Sequence, residues 1–137
     1  MTEPETEAAR LTITEDDDVV RVRQLARSYA QQVKLSLVDQ TKLVTATSEL
    51  ARNTLTHGGG GSAEIGIVRN GPRTGIRASF QDKGPGIPDI DLAMTDGWTS
   101  ANGLGLGLSG ARRLVDEFQL DTEAGRGTTV TVIKWGR

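Results

Sequence analysis

Glycine punctuation restricts this chain more than any other feature. Four consecutive glycines at 58–61, pairs at 84 and 86 and at 125 and 127, and a spaced series at 103, 105 and 107 separate stretches with regular apolar periodicity. A glycine run loses too much backbone entropy on ordering to continue a helix, so regular elements must lie between these clusters.

Between them the periodicity alternates in kind. Residues 11–14 alternate as a short strand does. The acids at 15–18 supply an N-cap and a negative first turn for a helix whose apolar stripe is Val19, Val22, Ala26, Tyr29 and Val33. A second helix is expected from Ser36, where Ser36-Leu-Val-Asp39 resembles a capping box, with Leu43, Ala46, Leu50 and Leu55 facing inward. Alternating segments at 63–69 and 75–82 flank Asn70-Gly71-Pro72 and read as a hairpin. A short helix is expected around 89–94. Helical spacing then returns over 106–118 through Leu108, Ala111, Leu114, Val115 and Phe118. The chain closes with strands at 119–123 and 128–135 about a glycine turn.

That order predicts an α/β (α+β) two-layer sandwich: an antiparallel or mixed, largely antiparallel sheet covered by helices on one face. The expected organisation is a flexible acidic tail at 1–10 and one domain at 11–137, the length being short for two cores. With aromatics at only 4%, the core must be built from Leu, Val, Ile and Ala. Absence of cysteine excludes disulfides, thiolate metal sites and thiol nucleophiles, and a single histidine, His57, cannot form a multi-histidine metal site. No stretch approaches the roughly 20 apolar residues of a membrane span, and the acidic start is unlike a secretory signal, so a cytoplasmic protein with no membrane partner is expected. Residues 1–18 carry seven acids and one arginine, a net −6; the overall −2 therefore leaves +4 on the rest, too little for a nucleic-acid binder.

Most nucleotide signatures are missing. There is no Gly-Lys-Ser/Thr element of a P-loop, and although Gly105-Leu-Gly107-Leu-Ser-Gly110 satisfies G-x-G-x-x-G, the residues before it do not read as a buried strand. Three other elements occur in order. Glu49-Leu-Ala-Arg-Asn53 sets a carboxylate and a carboxamide four apart on one helix face. Asp82-Lys-Gly84-Pro-Gly86-Ile87 ends a strand in a glycine-spaced loop, and Gly103-Leu104-Gly105-Leu106-Gly107-Leu108 opens a helix.

Each element has a chemical reading of its own. Asn53 offers a neutral oxygen to Mg2+, which takes few protein ligands when a triphosphate supplies the others. Glu49, one turn earlier, is the candidate general base for an attacking hydroxyl. Asp82 would accept from the exocyclic amine of adenine; guanine presents a carbonyl there, so ATP is expected rather than GTP. Gly84 and Gly86 let the backbone approach the base, and Gly103, Gly105 and Gly107 bare N–H groups to phosphate oxygens at a helix start.

Together with Gly127-Thr128, this ordered set resembles the N, G1, G2 and G3 boxes of the GHKL ATPase/kinase superfamily, whose nucleotide-binding unit is the Bergerat fold. Residues 96–118 and the ending Gly-Thr-Thr-Val-Thr-Val are further similar to the RsbT group of bacterial serine/threonine switch kinases, related to anti-sigma-factor kinases. The resemblance implies ATP and Mg2+ as cofactors, with Ile87, Leu104, Leu106 and Leu108 lining the site as members of their boxes and Thr128 touching adenine through water. It implies a STAS-domain protein as substrate, a PP2C-type phosphatase as second partner, and a sigma factor as a further candidate. Histidine kinases of this fold need a phosphoacceptor module and the gyrase, MutL and Hsp90 branches a transducer domain; neither fits in 137 residues, which favours a protein serine/threonine kinase. The alternative is an anti-sigma factor or nucleotide-gated module that sequesters a protein.

Overall fold

The computed structural model describes residues 7–86, 107–123 and 125–136. Five strands and three helices follow in the order β1 (Glu7–Ile13), α1 (Asp16–Gln32), α2 (Leu37–Thr56), β2 (Gly61–Asn70), β3 (Arg73–Asp82), α3 (Gly107–Leu114), β4 (Glu117–Glu123) and β5 (Gly127–Trp135). The strands form one sheet in the order β1-β2-β3-β5-β4, and every ladder is antiparallel, which resolves the expectation of a mixed sheet.

The helices cover one face. Inward residues Leu11, Ala63, Phe80, Val130 and Leu120 lie side by side across the sheet, and Ala9, Ile65, Ala78, Val132 and Phe118 form the next row. Against them pack Val19, Val22, Ala26 and Tyr29 of α1, Leu43, Ala46 and Leu50 of α2, and Leu108 and Ala111 of α3. The expected stripes are thus the buried ones, apart from Val33, Leu55, Leu114, Val115 and Phe118, which are half-buried.

Two boundaries differ from expectation. Residues 7–10, expected within the tail, instead pair with Ile67 to Glu64 of β2. Backbone hydrogen bonds create this edge strand, and they leave no side-chain period to read. The helix expected to run to Phe118 ends at Leu114, and Phe118 lies on β4. Phe118 and Leu120 alternate inward opposite Val132 and Val130, and this pairing outweighs the helical spacing. The short helix expected around 89–94 lies outside the described residues.

Local chemistry fixes the helix ends. Asp18 accepts the backbone N–H groups of Thr14 (2.9 Å) and Glu15 (3.2 Å) and pairs with Arg21. The Thr14 bond above all holds the Asp18 carboxyl below its ordinary pKa. At the far end of α1, Lys34 has φ +61, while Leu35 N–H donates to Ala30 O and Lys34 N–H to Gln31 O. This is a Schellman closure built without glycine. It turns the chain directly into α2, where the Ser36 hydroxyl accepts the Asp39 N–H at 3.1 Å, as the N-cap reading expected.

The start of α2 is also tied to the sheet. Lys134 on β5 is buried, with its Nζ 3.4 Å from Asp39 Oδ1 and 3.5 Å from Asp116 Oδ2. Asp116 Oδ2 in turn accepts the Trp135 N–H at 2.7 Å. Removing Lys134 strands the buried Asp39 carboxylate away from water. Lys134→Ala is therefore expected to lower unfolding free energy by about 3 kcal/mol. Urea denaturation of wild type and variant measures this, and a loss below about 1 kcal/mol, the scale of an exposed pair, would contradict the structural weight given to the cluster.

Candidate functional site

The last turns of α2 and the end of β3 meet at Gly58. Gly58 N–H donates to Asn53 O at 3.3 Å and Gly60 N–H to Thr54 O at 3.0 Å, so the glycine run finishes the helix by folding back on its last carbonyls. A Cβ on Gly58 would lie 2.7 Å from Asp82 Oδ2, and one on Gly84 would lie 2.7 Å from the Gly58 Cα. Gly61 faces the Thr54 side chain, and a Cβ there would sit 2.9 Å from Thr54 Cγ2. Three glycines thus let the helix, the Asp82 carboxylate and the loop after β3 approach within backbone contact. From sequence alone 58–61 reads as a helix stop and Gly58 does not stand out as a site residue; its direct succession to the Glu49–Asn53 helix is the available signal.

Asp82 is half-buried on the helix-facing side of β3. Its Oδ1 accepts the Gly84 N–H at 2.8 Å, which turns the loop and leaves Oδ2 on the side of Gly58. The loop is held from the other side too: Gly125 N–H donates to Pro85 O at 2.9 Å, and Gly127, with φ +109, packs against the Asp82 carbonyl and Lys83 Cα. Gly86 follows with φ +79, a conformation that favours glycine.

Beside Asp82 on β5 stands Thr128, directly opposite in register and half-buried. Its hydroxyl lies 2.9 Å from that of Thr122 on β4. Thr122 is a second neighbour that sequence reasoning did not single out, since an isolated strand threonine carries no pattern.

Glu49 and Asn53 occupy one face of α2, one turn apart and both half-buried. Neither side chain makes a hydrogen bond or ion pair among the described residues. In contrast, the neighbouring Thr47, Thr54 and Thr56 hydroxyls donate back to carbonyls of their own helix. The last turn of α2 carries no basic side chain, so the negative end of its dipole is left for a cation. Among the described residues no group of three acidic, histidine or cysteine side chains could hold a metal by itself. Such a donor set suits an ion that arrives with its own oxygen ligands, and Asn53 fits the Mg2+ of a nucleotide triphosphate.

Of the glycine series, Gly107 opens α3 with φ +50 and Leu108 is buried under that helix, which packs against α2. Gly103, Leu104, Gly105 and Leu106, and Ile87 of the loop after β3, lie outside the described residues. His57 is the exposed C-cap of α2. A hollow of about 890 Å³ wraps the Asp82 end of the sheet, bounded by Asp82, Gly61 and Thr128 and continuing past Arg10, Ser62 and Gln81 onto the open face. No helix among the described residues is long and apolar enough to cross a membrane.

A two-layer sandwich with an Asn-bearing helix, a strand-end Asp in a glycine loop and a Gly-Thr strand start defines a nucleotide-binding ATPase unit. Residues 38–135 match the family described as Histidine kinase-, DNA gyrase B-, and HSP90-like ATPase, and the chain belongs to it. The resemblance to GHKL proteins drawn from the ordered boxes is borne out. The chain is 45% identical over 120 residues to Serine/threonine-protein kinase RsbT of Bacillus subtilis, covering 88% of this chain and 90% of that protein. It is 27% identical over 128 residues to Anti-sigma F factor of Clostridium beijerinckii, covering 89% of each. Among solved structures, the RsbU and RsbW domains of Rv1364c from Mycobacterium tuberculosis share the fold with a TM-score of 0.66 at 24% identity, over 96% of this chain and 33% of that one. The mycobacterial sensor histidine kinase MprB does so with a TM-score of 0.57 at 16% identity, over 96% and 99%.

The contact between Gly58 and Asp82 yields a test. In Gly58→Ala the new methyl group must displace the Asp82 carboxylate, so ATP affinity should fall about tenfold or more, the scale of losing a hydrogen bond to a charged group. Calorimetric titration with ATP, alongside circular dichroism to verify the fold, measures it; unchanged affinity in a folded variant would show that Asp82 does not meet the nucleotide.

Proposed function

We propose that this chain is an RsbT-like, ATP- and Mg2+-dependent protein serine/threonine kinase of a partner-switching module. It acts in the cytoplasm on a Ser or Thr of a small STAS-domain protein and, once released from that substrate, binds and activates a PP2C-type phosphatase. The observation that carries the reading is the pair Glu49 and Asn53, half-buried yet without partners among the described residues, on a helix joined at Gly58 to the Asp82 carboxylate. Their polar atoms are open to solvent rather than buried, so a pair of them one turn apart is available to ligands that complete a site. The similarity to a protein named as a serine/threonine kinase supports the same reading.

The division of labour follows from position. Asp82 accepts a hydrogen bond from the exocyclic amine of adenine, Gly84 and Gly86 let the backbone lie against the base, and Thr128 bounds its far edge. Gly107 and the start of α3 face the phosphates, with Leu108 as an apolar wall. Mg2+, when bound, neutralises phosphate charge, and Asn53 would hold it. Glu49 accepts the proton of the substrate hydroxyl as its oxygen bonds to the γ-phosphorus; the bond from that phosphorus to the bridging oxygen breaks, and ADP leaves. Orientation of the hydroxyl and removal of its proton are the protein's share of the chemistry.

A second reading is favoured by the similarity to proteins named as anti-sigma F factors. In it the chain sequesters a sigma factor, and nucleotide sets the shape of the binding surface. Glu49→Gln separates the two. As a kinase, the variant should transfer label from ATP to a STAS protein about 10²- to 10⁴-fold more slowly, the usual contribution of a general base. Its ATP affinity should stay near wild type, whereas Asp82→Asn should lose both binding and transfer. Wild-type transfer by Glu49→Gln would remove Glu49 from the base role. Sigma-factor capture with no label transfer by the wild-type chain would establish the second reading.

A further inference from the structure

We infer that Thr122 is a positioning residue for purine recognition: it fixes the direction in which the Thr128 hydroxyl points its proton and so leaves the edge of the site beside Asp82 lined by acceptors only. This rests on the adenine-binding reading of Asp82 given above.

Gly61, Asp82, Thr128 and Thr122 lie side by side across β2, β3, β5 and β4, in one row on the helix-facing side of the sheet. Thr122 Oγ1 lies 3.3 Å from the Gly127 carbonyl oxygen and 2.9 Å from Thr128 Oγ1. A carbonyl oxygen only accepts, and a hydroxyl has one proton. With the Thr122 hydroxyl donating to Gly127 O, the proton between the two threonine oxygens comes from Thr128. Thr128 Oγ1 is left presenting lone pairs. Next to it the Asp82 carboxylate, with Oδ1 already accepting the Gly84 N–H, presents another acceptor in Oδ2.

Two acceptors side by side suit a group that donates twice, such as an amine bearing two protons or a water donating to both oxygens. They oppose a carbonyl oxygen, which would face lone pairs with no proton between them. Thr122 thereby excludes 6-oxo purines without touching the base. If the Thr122 hydroxyl is removed, Thr128 can rotate its proton toward the cleft and donate to a carbonyl.

The matched pair ATP and ITP differs in the amine and carbonyl at the purine 6-position. Titration of both into the full chain compares wild type, Thr122→Val, Thr122→Ser and Asp82→Asn. In Thr122→Val the preference for ATP over ITP should fall at least about fivefold, the scale of one neutral hydrogen bond. Thr122→Ser, which keeps the hydroxyl, should restore the preference to within about twofold of wild type, a rescue that packing alone would not give. Should Thr122→Val fail to fold, Thr122→Ala is read in its place with the same expectation. An unchanged ratio in Thr122→Val, or an equal loss of both affinities, would overturn the proposal and leave Thr122 a packing residue. If Asp82→Asn binds ATP as tightly as wild type, the adenine reading itself fails; if Asp82→Asn weakens ATP while the Thr122→Val ratio holds, only the role of Thr122 does.

Discussion

The absence of a side chain at Gly58 decides where the functional groups of this chain can stand. A Cβ there would meet Asp82 Oδ2 at 2.7 Å, so the carboxylate keeps its place only because the residue after the helix cap is glycine. The same residue returns its N–H to Asn53 O, joining the helix that carries Glu49 and Asn53 to the strand end that carries Asp82. The groups proposed for catalysis and recognition are thereby held to one another through backbone contact rather than through long side chains, whose rotamer entropy would blur their spacing.

The rest of the fold keeps that junction in place. At its start α2 is fixed by Ser36 and by the buried Lys134 with its partners Asp39 and Asp116, and along its length it packs between α1 and α3. On the other side of Asp82, the turn between β4 and β5 holds the loop through Pro85 O and through Gly127. A buried charge cluster is weak evidence for stability in itself. Here it joins the N-terminal end of the functional helix to the same β5 whose first residues flank Asp82, so both ends of the helix are referred to one strand.

Much of this was legible in the sequence, for a physical reason in each case. Val19, Val22, Ala26 and Tyr29 on α1, and Leu43, Ala46 and Leu50 on α2, are buried because a helix on one face of a sheet must present a 3.6-residue apolar stripe. The ordered glycine boxes could be recognised because glycine is required where backbone must lie against backbone. What could not be read were interactions without a side-chain period. Residues 7–10 joined the sheet through main-chain pairing, and Phe118 satisfied a helical spacing while its partner Val132 drew it into β4. Gly58 and Thr122 act through a contact and a hydroxyl direction that exist only once β3, β4 and β5 are adjacent. Glu49, Asn53, Asp82 and Thr128 were singled out from sequence; the register of the sheet sets Thr128 beside Asp82, and the fold-back at Gly58 brings the helix end to them.

The central claim is that adenine sits against Asp82 while the triphosphate reaches Asn53 at the end of α2. A crystal structure of the chain with Mg2+ and a non-hydrolysable ATP analogue tests it most directly. The exocyclic amine is expected within hydrogen-bonding distance of the Asp82 carboxylate and the metal ligated by Asn53. An analogue bound with its base remote from Asp82, or a metal held by other residues with Asn53 turned away, would contradict it.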